Sequence, residues 1–582
     1  SRNVPAEWLT TAESTNYQKT PRYAETIAYS KRLDASSRLI AYKSFGKSSE
    51  GRDLPLLIAA SGGEFDPVLA KKSGKAVILV QAAIHSGESD GKDAGLALLR
   101  DIAVTGSRKG LLTNTIILFV PIYNVDGHEL FSRFNRINQN GPDEMGFRAN
   151  SANQNLNRDY LKVDTEETRS WLALWNRWDP DFFIDCHVTD GADFRYNITF
   201  EFAHHGEIAP ELRDWMREHF ENQIVPSVEA EGNLLSRYIQ MLNRFEPMRG
   251  IASFIATPRF ATGYSPLRDR NGLLIEAHSV KPYKSRVRGT YDVLWKSIEH
   301  IGENKASLFA ANLAAERRAD SIKSETADDF VLAQRIGNKA REYLFKGWRT
   351  ASEDSAISGA KKIIYTNEPK DYKVPQYDTA VPVKTVKPPH FYIVPPQWRE
   401  VIKRLEYHGV PHLVLSDEAS YITENMRLVE PKWRSRPFEG RLTLSVKSER
   451  FSKLTKYPKG SVVVPVKGSG GKVAMHWLEP EGPDSAVYWG FFNAIFEQKE
   501  YSESYVMEDI AAEMLNNDPE LKKKFEEKLE DEKFASSPRA RMRFFYENSP
   551  YFDKRIGVYP VGRVTSAETV NRIQKNLAKA TG

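Results

Sequence analysis

"KAVILVQAAIHSGESDGKDAGLALLRDIA", residues 75–103, carries three signals in succession. Residues 75–84 form a nearly unbroken apolar run, as a strand buried on both faces requires. Residues 90–103 space their apolar side chains as an amphipathic helix does. Between them HSGESDG sets His85 three positions before Glu88. A buried strand feeding a helix is the unit of an α/β sheet. Ligands in such sheets bind beyond the carboxyl ends of the strands, which is where this loop falls.

The same pattern extends outward. Residues 38–60, RLIAYKSFGKSSEGRDLPLLIAA, predict two strands around a Gly/Ser turn. Residues 114–124, 181–187 and 271–279 are further strand-like runs, and 166–178 and 209–228 predict helices. A long helical stretch continues to about residue 318. The expected fold is α/β: a mainly parallel mixed sheet covered by helices, with a C-terminal α+β region. Three parts are expected: a catalytic domain over 1–325, a helical segment and Pro-rich linker over 326–390, and an α+β accessory region over 391–582. VKGSGGKVA (residues 466–474) has the glycines of a phosphate loop but neither its leading glycine nor a hydroxyl after the lysine, so it predicts a Gly-rich hairpin turn. Residues 518–534 predict a solvated helix.

Composition removes several classes of function. The 582 residues exceed one ordinary core. A single cysteine, Cys186, excludes an internal disulfide. A net charge of +5, without basic runs interleaved with aromatics, does not call for nucleic acid. No apolar run approaches the roughly 20 residues needed to span a bilayer. The chain opens without an initiator Met or a signal segment, as a mature form or one cut at an arbitrary boundary would.

His–x–x–Glu by itself decides nothing, because the chain has it at His85/Glu88, His204/Glu207, His300/Glu303 and His476/Glu479. Context separates them. His85 follows a predicted strand, His187 ends another and Glu276 lies in a third, so three strands could deliver ligand-type residues to one rim. Two imidazoles and a carboxylate can hold Zn²⁺ with water in the fourth position. His204/Glu207, which follows the run NITFEFA, is the competing pair.

Taken together, GKSSEGRDLPLLI, HSGESDG, NQNLNRDY (residues 153–160), DCH and IEAH resemble the zinc metallocarboxypeptidase family, in a larger bacterial branch with an added C-terminal region. The resemblance covers about the first 300 residues. It implies one zinc per chain on His85, Glu88 and His187, with Glu276 as general base. It implies Arg136 as the oxyanion cation, Arg133 being the alternative. Asn157 and Arg158 would hold the free α-carboxylate of a peptide substrate, since a guanidinium is a planar fork matched to a carboxylate. Tyr264 is the nearest candidate for the substrate-capping tyrosine. The sequence departs from the family pattern at Asn155, where an Asp is usual, so His85 would be oriented by a neutral amide. Arg259, Arg268 and Arg270 lie in the loop before Glu276; outside the side-chain pocket they would be structural, inside it they would favour an acidic terminal residue.

The expected activity is hydrolysis of a C-terminal peptide bond by a zinc-promoted water, in a periplasmic or secreted setting. The alternative is a zinc amidohydrolase acting on N-acyl amino acids or peptidoglycan peptides. A third possibility is a binding protein with an inactive site, against which the intact residue set argues.

Overall fold

The computed structural model describes residues 4–205, 208–243, 246–322 and 329–581. A hairpin opens the main sheet: β1 (Ile40–Lys47) pairs antiparallel with β2 (Asp53–Ala59). β3 (Ala76–Ala82) runs parallel to β4 (Thr115–Val120) and to β5 (Phe182–Thr189). β6 (Ile198–Phe202) and β7 (Leu235–Arg237) form the far edge. Two short strands, β8 (Gln240–Met241) and β9 (Ile251–Ala252), precede β10 (Asn271–His278), which inserts parallel to β5 and antiparallel to β6. The eight-stranded order is β1-β2-β4-β3-β5-β10-β6-β7. Its parallel centre, β4-β3-β5-β10, sends every carboxyl end to one rim.

The side-chain alternation of these strands feeds two cores. Ile78, Val80, Ile184 and Ile275 face the helices Asp90–Ala103 and Tyr283–Glu303. Val77, Leu79, Leu118 and Phe183 face the helix Glu166–Trp178, whose Trp171 and Trp175 stack on each other. Burial on both faces explains why these strands read as continuous apolar runs. The helix Asp90–Ala103 lies unusually close to the sheet. A Cβ on Gly91 would meet Cys186 Cβ at 2.3 Å, and one on Gly95 would meet the Phe119 ring at 2.1 Å. This contact fixes the loop between β3 and the helix, which carries His85 and Glu88.

Several boundaries agree with the sequence reading. The strands at residues 38–60, 75–84, 114–124, 181–187 and 271–279 are present, and the helices Asp90–Ala103 and Glu166–Trp178 have the expected limits. Residues 209–228 are helical, and the stretch to 318 is two helices, Tyr283–Glu303 and Lys305–Asp320.

Two expectations fail. Residues 326–390, expected as helix and linker, carry four strands: β11 (Phe330–Ile336), β12 (Arg341–Asp354), β13 (Lys361–Tyr377) and β14 (Ala380–Val386). Three of the prolines that suggested a linker, Pro369, Pro375 and Pro382, sit in β13 and β14, and edge positions tolerate the missing N–H. β12 and β13 form a long ribbon whose far half is exposed on both faces. Its register is marked by cross-strand ion pairs, Lys361–Asp354 at 2.6 Å and Lys362–Glu353 at 3.1 Å. The second failure is residues 466–474, expected as a hairpin turn. They begin the helix Gly468–Leu478, and Lys472 Nζ is spent on Asp269 Oδ1 at 2.6 Å and Pro266 O at 2.9 Å.

The C-terminal part contributes a six-stranded sheet in the order β16-β19-β15-β20-β17-β18. Its strands are β15 (Phe391–Val394), β16 (Leu413–Val414), β17 (Ala419–Trp433), β18 (Leu444–Tyr457), β19 (Val462–Pro465) and β20 (Val558–Val564). Trp477, Trp489 and Val464 share one apolar cluster with Trp171, Trp175 and Leu79 of the main sheet. The charged helix Pro519–Lys528 is mostly solvated, yet Leu521 and Phe525 pack on Phe544 and Phe545.

Because Trp477 is fully buried in the shared cluster and donates its indole N–H to Val401 O, Trp477→Ala should cost about 3–5 kcal/mol. Urea unfolding followed by circular dichroism measures it, and a single transition for the whole chain is expected.

Candidate metal centre and its cleft

The sheet rim brings together the residues that lie far apart in sequence. His187 and Glu276 are direct register partners on β5 and β10. His85 lies just past β3, and the tight turn after it returns Glu88 to the same point through a Glu88 N–H to His85 O bond of 2.8 Å. His85 Nδ1 is 3.1 Å from Glu88 Oε1, and His187 Nδ1 is 2.9 Å from Glu88 Oε2. One donor atom from each of the three residues falls within 4.8 Å of the others, and all three side chains are buried. The ring centroids of the two imidazoles are 5.0 Å apart.

Outer partners turn both rings the same way. His85 Nε2 donates to Asn155 Oδ1 at 3.0 Å, and His187 Nε2 donates to Asp185 Oδ2 at 2.8 Å. Asp185 is itself held by Gln81 Nε2 at 2.8 Å, and Gln81 Oε1 accepts from Tyr160 at 3.1 Å. With Nε2 committed, both Nδ1 atoms face the Glu88 carboxylate. Two nitrogens and a carboxylate converging from three directions form a donor set that fits a tetrahedral Zn²⁺ with one open position.

Electrostatics follow from burial and these partners. Burial drops His85 to about 3, helped by Arg148 and His187 and opposed by Glu88. Burial opposes the charge on His187 too, but Asp185 and Glu88 outweigh it and raise the ring well above its usual value. Against its own burial, Glu88 is held well below the carboxylate range by Arg136 and the two imidazoles. Glu276 is pushed up to about 8, first by burial and then by Glu88 and Asp185, with His187 and Arg136 opposing. Two carboxylates on one rim whose proton affinities are pushed in opposite directions are an arrangement that suits acid–base work.

These residues line a cleft of about 700 Å³. Asn157 and Arg158 enter it from the other side. Asn157 Oδ1 is fixed by the Ala261 N–H at 3.0 Å, and the Arg158 guanidinium stacks over Phe260 at 4.2 Å. Arg158 does not pair with its neighbour Asp159, which is taken by Lys162 at 2.6 Å and Thr165 Oγ1 at 2.7 Å. Among the described residues no carboxylate forms a salt bridge with Arg158, and burial lowers it to about 10.

Arg136 also lines the cleft, at a left-handed φ of 50°. Its guanidinium is fully engaged by Glu88 Oε1 at 2.8 Å, Gln139 Oε1 at 2.6 Å and Val188 O at 3.1 Å. Arg148, which sequence reading overlooked, has only a 3.5 Å approach to Glu88 Oε1, and its side chain is 46% exposed. Arg133 is exposed and does not line the cleft.

Tyr264 is a correction. It is fully buried, bonded to His408 Nδ1 at 2.8 Å and to Arg268 Nη1 at 3.1 Å, and it packs against Tyr160 and Trp171. The turn at Ala261–Tyr264 points it into the core below the sheet, so it cannot cap a substrate. Tyr238 occupies the cleft instead, close enough to Glu276 for that carboxylate to raise its phenol, after burial, to about 12. Its only sequence signal is its place just after a short strand. Arg259, Arg268 and Arg270 all bond elsewhere, to Asp484, to Asn176 and to Asp179 with Glu316, and none enters the cleft.

The remaining His–x–x–Glu pairs separate as well. His300 sits on a helix beside His219, at 3.0 Å. Glu479 faces Tyr392 and Arg563 rather than His476. His204 is buried near Glu201 and Arg237, and Glu207 lies outside the described residues.

A His–Glu–His rim with a glutamate beside it is a set of side chains that suits a metallohydrolase. Residues 26–234 match the family described as zinc carboxypeptidase. The chain is 25% identical to Carboxypeptidase 2 of Trichophyton rubrum over 494 residues, 81% of this chain and 84% of that one. It is 24% identical to Carboxypeptidase 2 of Trichophyton tonsurans over the same shares. Among solved structures, a metallo-carboxypeptidase from Burkholderia cenocepacia aligns with a TM-score of 0.36 and 14% identity, over 48% of this chain and 69% of that one. The chain thus carries a segment that matches the zinc carboxypeptidase family and is a peptide-bond hydrolase of the carboxypeptidase type. The family implies zinc, which the donor set accommodates. Glu276 lies beyond the matched segment and enters the site through the register of β10 alone. Among the described residues no helix is long and apolar enough to cross a membrane.

Tyr264→Phe removes two hydrogen bonds of the buried hydroxyl, to His408 and from Arg268, and should lower stability by about 2 kcal/mol. Peptide turnover per folded molecule should be unchanged; a loss of turnover without a loss of stability would return Tyr264 to the site.

Proposed function

We propose that the protein removes the C-terminal residue of a peptide, with His85, Glu88 and His187 holding one zinc ion. The observation that carries this reading is Arg158: a half-buried guanidinium without a salt-bridge partner among the described residues, opening into the cleft that contains the three donor atoms. Such a group calls for an external carboxylate, and a free peptide terminus supplies one. A bound zinc would contribute Lewis acidity and an acidified water.

The chain's own residues do the rest. Asn157 and Arg158 hold the terminal carboxylate and so set which peptide bond reaches the rim. Glu276 takes a proton from water and returns one to the leaving amine, a role helped by a carboxylate whose proton affinity burial has already raised. Arg148 has the freedom to meet the oxyanion that develops on the scissile carbonyl, whereas Arg136 is tied to Glu88, Gln139 and Val188. Tyr238 closes the cleft beside Glu276. With no arginine from residues 259–270 inside, the wall offers Phe254, Phe260 and Leu274, which suit an apolar terminal side chain. A periplasmic or secreted setting comes with the family resemblance.

Glu276→Gln keeps the shape and removes the base. It should lower kcat/KM on a blocked dipeptide by about 10²–10⁴-fold while about one zinc per chain is retained by elemental analysis. Undiminished hydrolysis by this variant would take Glu276 out of the mechanism. The wild type should act on a free C-terminus and not on its amide. Preference for short N-acyl amino acids would point to an amidohydrolase, and zinc without turnover of any substrate to a binding protein.

Arg148→Ala should lower kcat by about 10²–10³-fold, the scale of one oxyanion donor. If Arg136→Ala gave that loss and Arg148→Ala did not, the two roles would be reversed.

A further inference from the structure

The carboxylate clamp stands between two loops, and a C-terminal acid grips each of them. On one side, Glu439 Oε2 accepts the Asn155 N–H at 2.8 Å. Asn155 Oδ1 then accepts from both His85 Nε2 and the Asn157 N–H, each at 3.0 Å. On the other side, Asp484 Oδ2 accepts the Arg259 N–H at 3.0 Å, and Asp484 Oδ1 also binds the Arg259 guanidinium. The next residue is Phe260, whose ring lies under the Arg158 guanidinium.

The turn that delivers Glu439 is built for that place. Phe438 and Arg441 bridge each other, and the two residues between them, Glu439 and Gly440, have φ of 51° and 75°. A left-handed glutamate is unfavourable, and such residues persist where surrounding contacts hold them. Here Arg441 docks on Asp164 through two bonds of 2.6 Å, and Phe438 stacks on Trp489 at 5.9 Å. Asp484 is fully buried.

We propose that Glu439 and Asp484 are positioning residues through which the C-terminal region completes the active site: Glu439 fixes the Asn155 backbone, and with it the side-chain oxygen that orients His85 and Asn157, and Asp484 sets the Phe260 shelf under Arg158. The inference rests on the carboxypeptidase reading. The two acids have different connections, so they should fail differently. Only Glu439 is linked to a metal ligand; both are linked to the carboxylate clamp.

The test uses the full-length zinc-loaded protein with Glu439→Ala, Glu439→Gln, Asp484→Ala and, as a control on the same turn, Arg441→Ala. Two quantities are read: KM and kcat on a free-terminus dipeptide, and the rate of zinc release to a chromogenic chelator, which needs no activity. Glu439→Ala should raise KM about tenfold with a smaller effect on kcat and weaken zinc retention about ten- to hundredfold, the scale of lost outer-shell partners. Glu439→Gln keeps an acceptor oxygen for the Asn155 N–H and should restore most of both. Asp484→Ala should raise KM and leave zinc release unchanged. The proposal is overturned if Glu439→Ala behaves as wild type, or if all four variants shift both quantities in proportion to their loss of stability. A wild type that cleaves no peptide would instead sink the carboxypeptidase reading, while the zinc-release comparison would still judge Glu439.

Discussion

The structure turns on Glu88, a carboxylate out of water between two imidazoles. An ionised carboxylate in that position is tolerated only with cations or donors around it. Each neighbouring element supplies part of that setting. β5 contributes His187 and, two residues earlier, the Asp185 that orients it. The loop after β3 contributes His85, and Arg136 leans in from a strained position. The close seating of the helix Asp90–Ala103 on the sheet keeps that loop from drifting.

The substrate side is assembled less locally. Arg158 stands on loops that Tyr160 ties to β3 through Gln81, and residues 438–441 and 484 add a second grip on them. An apolar cluster common to the main sheet and the C-terminal sheet gives that grip a rigid base. The later half of the chain is thus packed against the site rather than appended to it.

Much of the candidate centre was legible in the sequence because continuous apolar runs betray strands buried on both faces, and polar residues near their carboxyl ends share one rim. His85, Glu88, His187 and Glu276 all obey that rule. Tyr264 misled because proximity in sequence to Glu276 says nothing about which side of the sheet a turn faces. Arg148 was missed because a loop arginine carries no periodic signal; only its freedom beside a fully engaged Arg136 marks it. Residues 326–390 were misread because proline and charge suggest a linker, whereas strands exposed on both faces use the same composition. Glu439 could not be anticipated at all, since its partner Asn155 is 284 residues away.

The β12–β13 ribbon follows a different physical rule from the body. Its inner half is anchored by Phe345 and Val374 against Phe194 and Tyr196. Its outer half lacks a buried layer and is held by the backbone ladder, to which solvent-facing charges add an attraction that fades with ionic strength. Concentrated electrolyte would therefore fray this arm from its far end inward while the catalytic rim stayed intact. The open bend at Ser355–Ala360, with Ile357 wholly in solvent, is where a digesting enzyme would make its first nick.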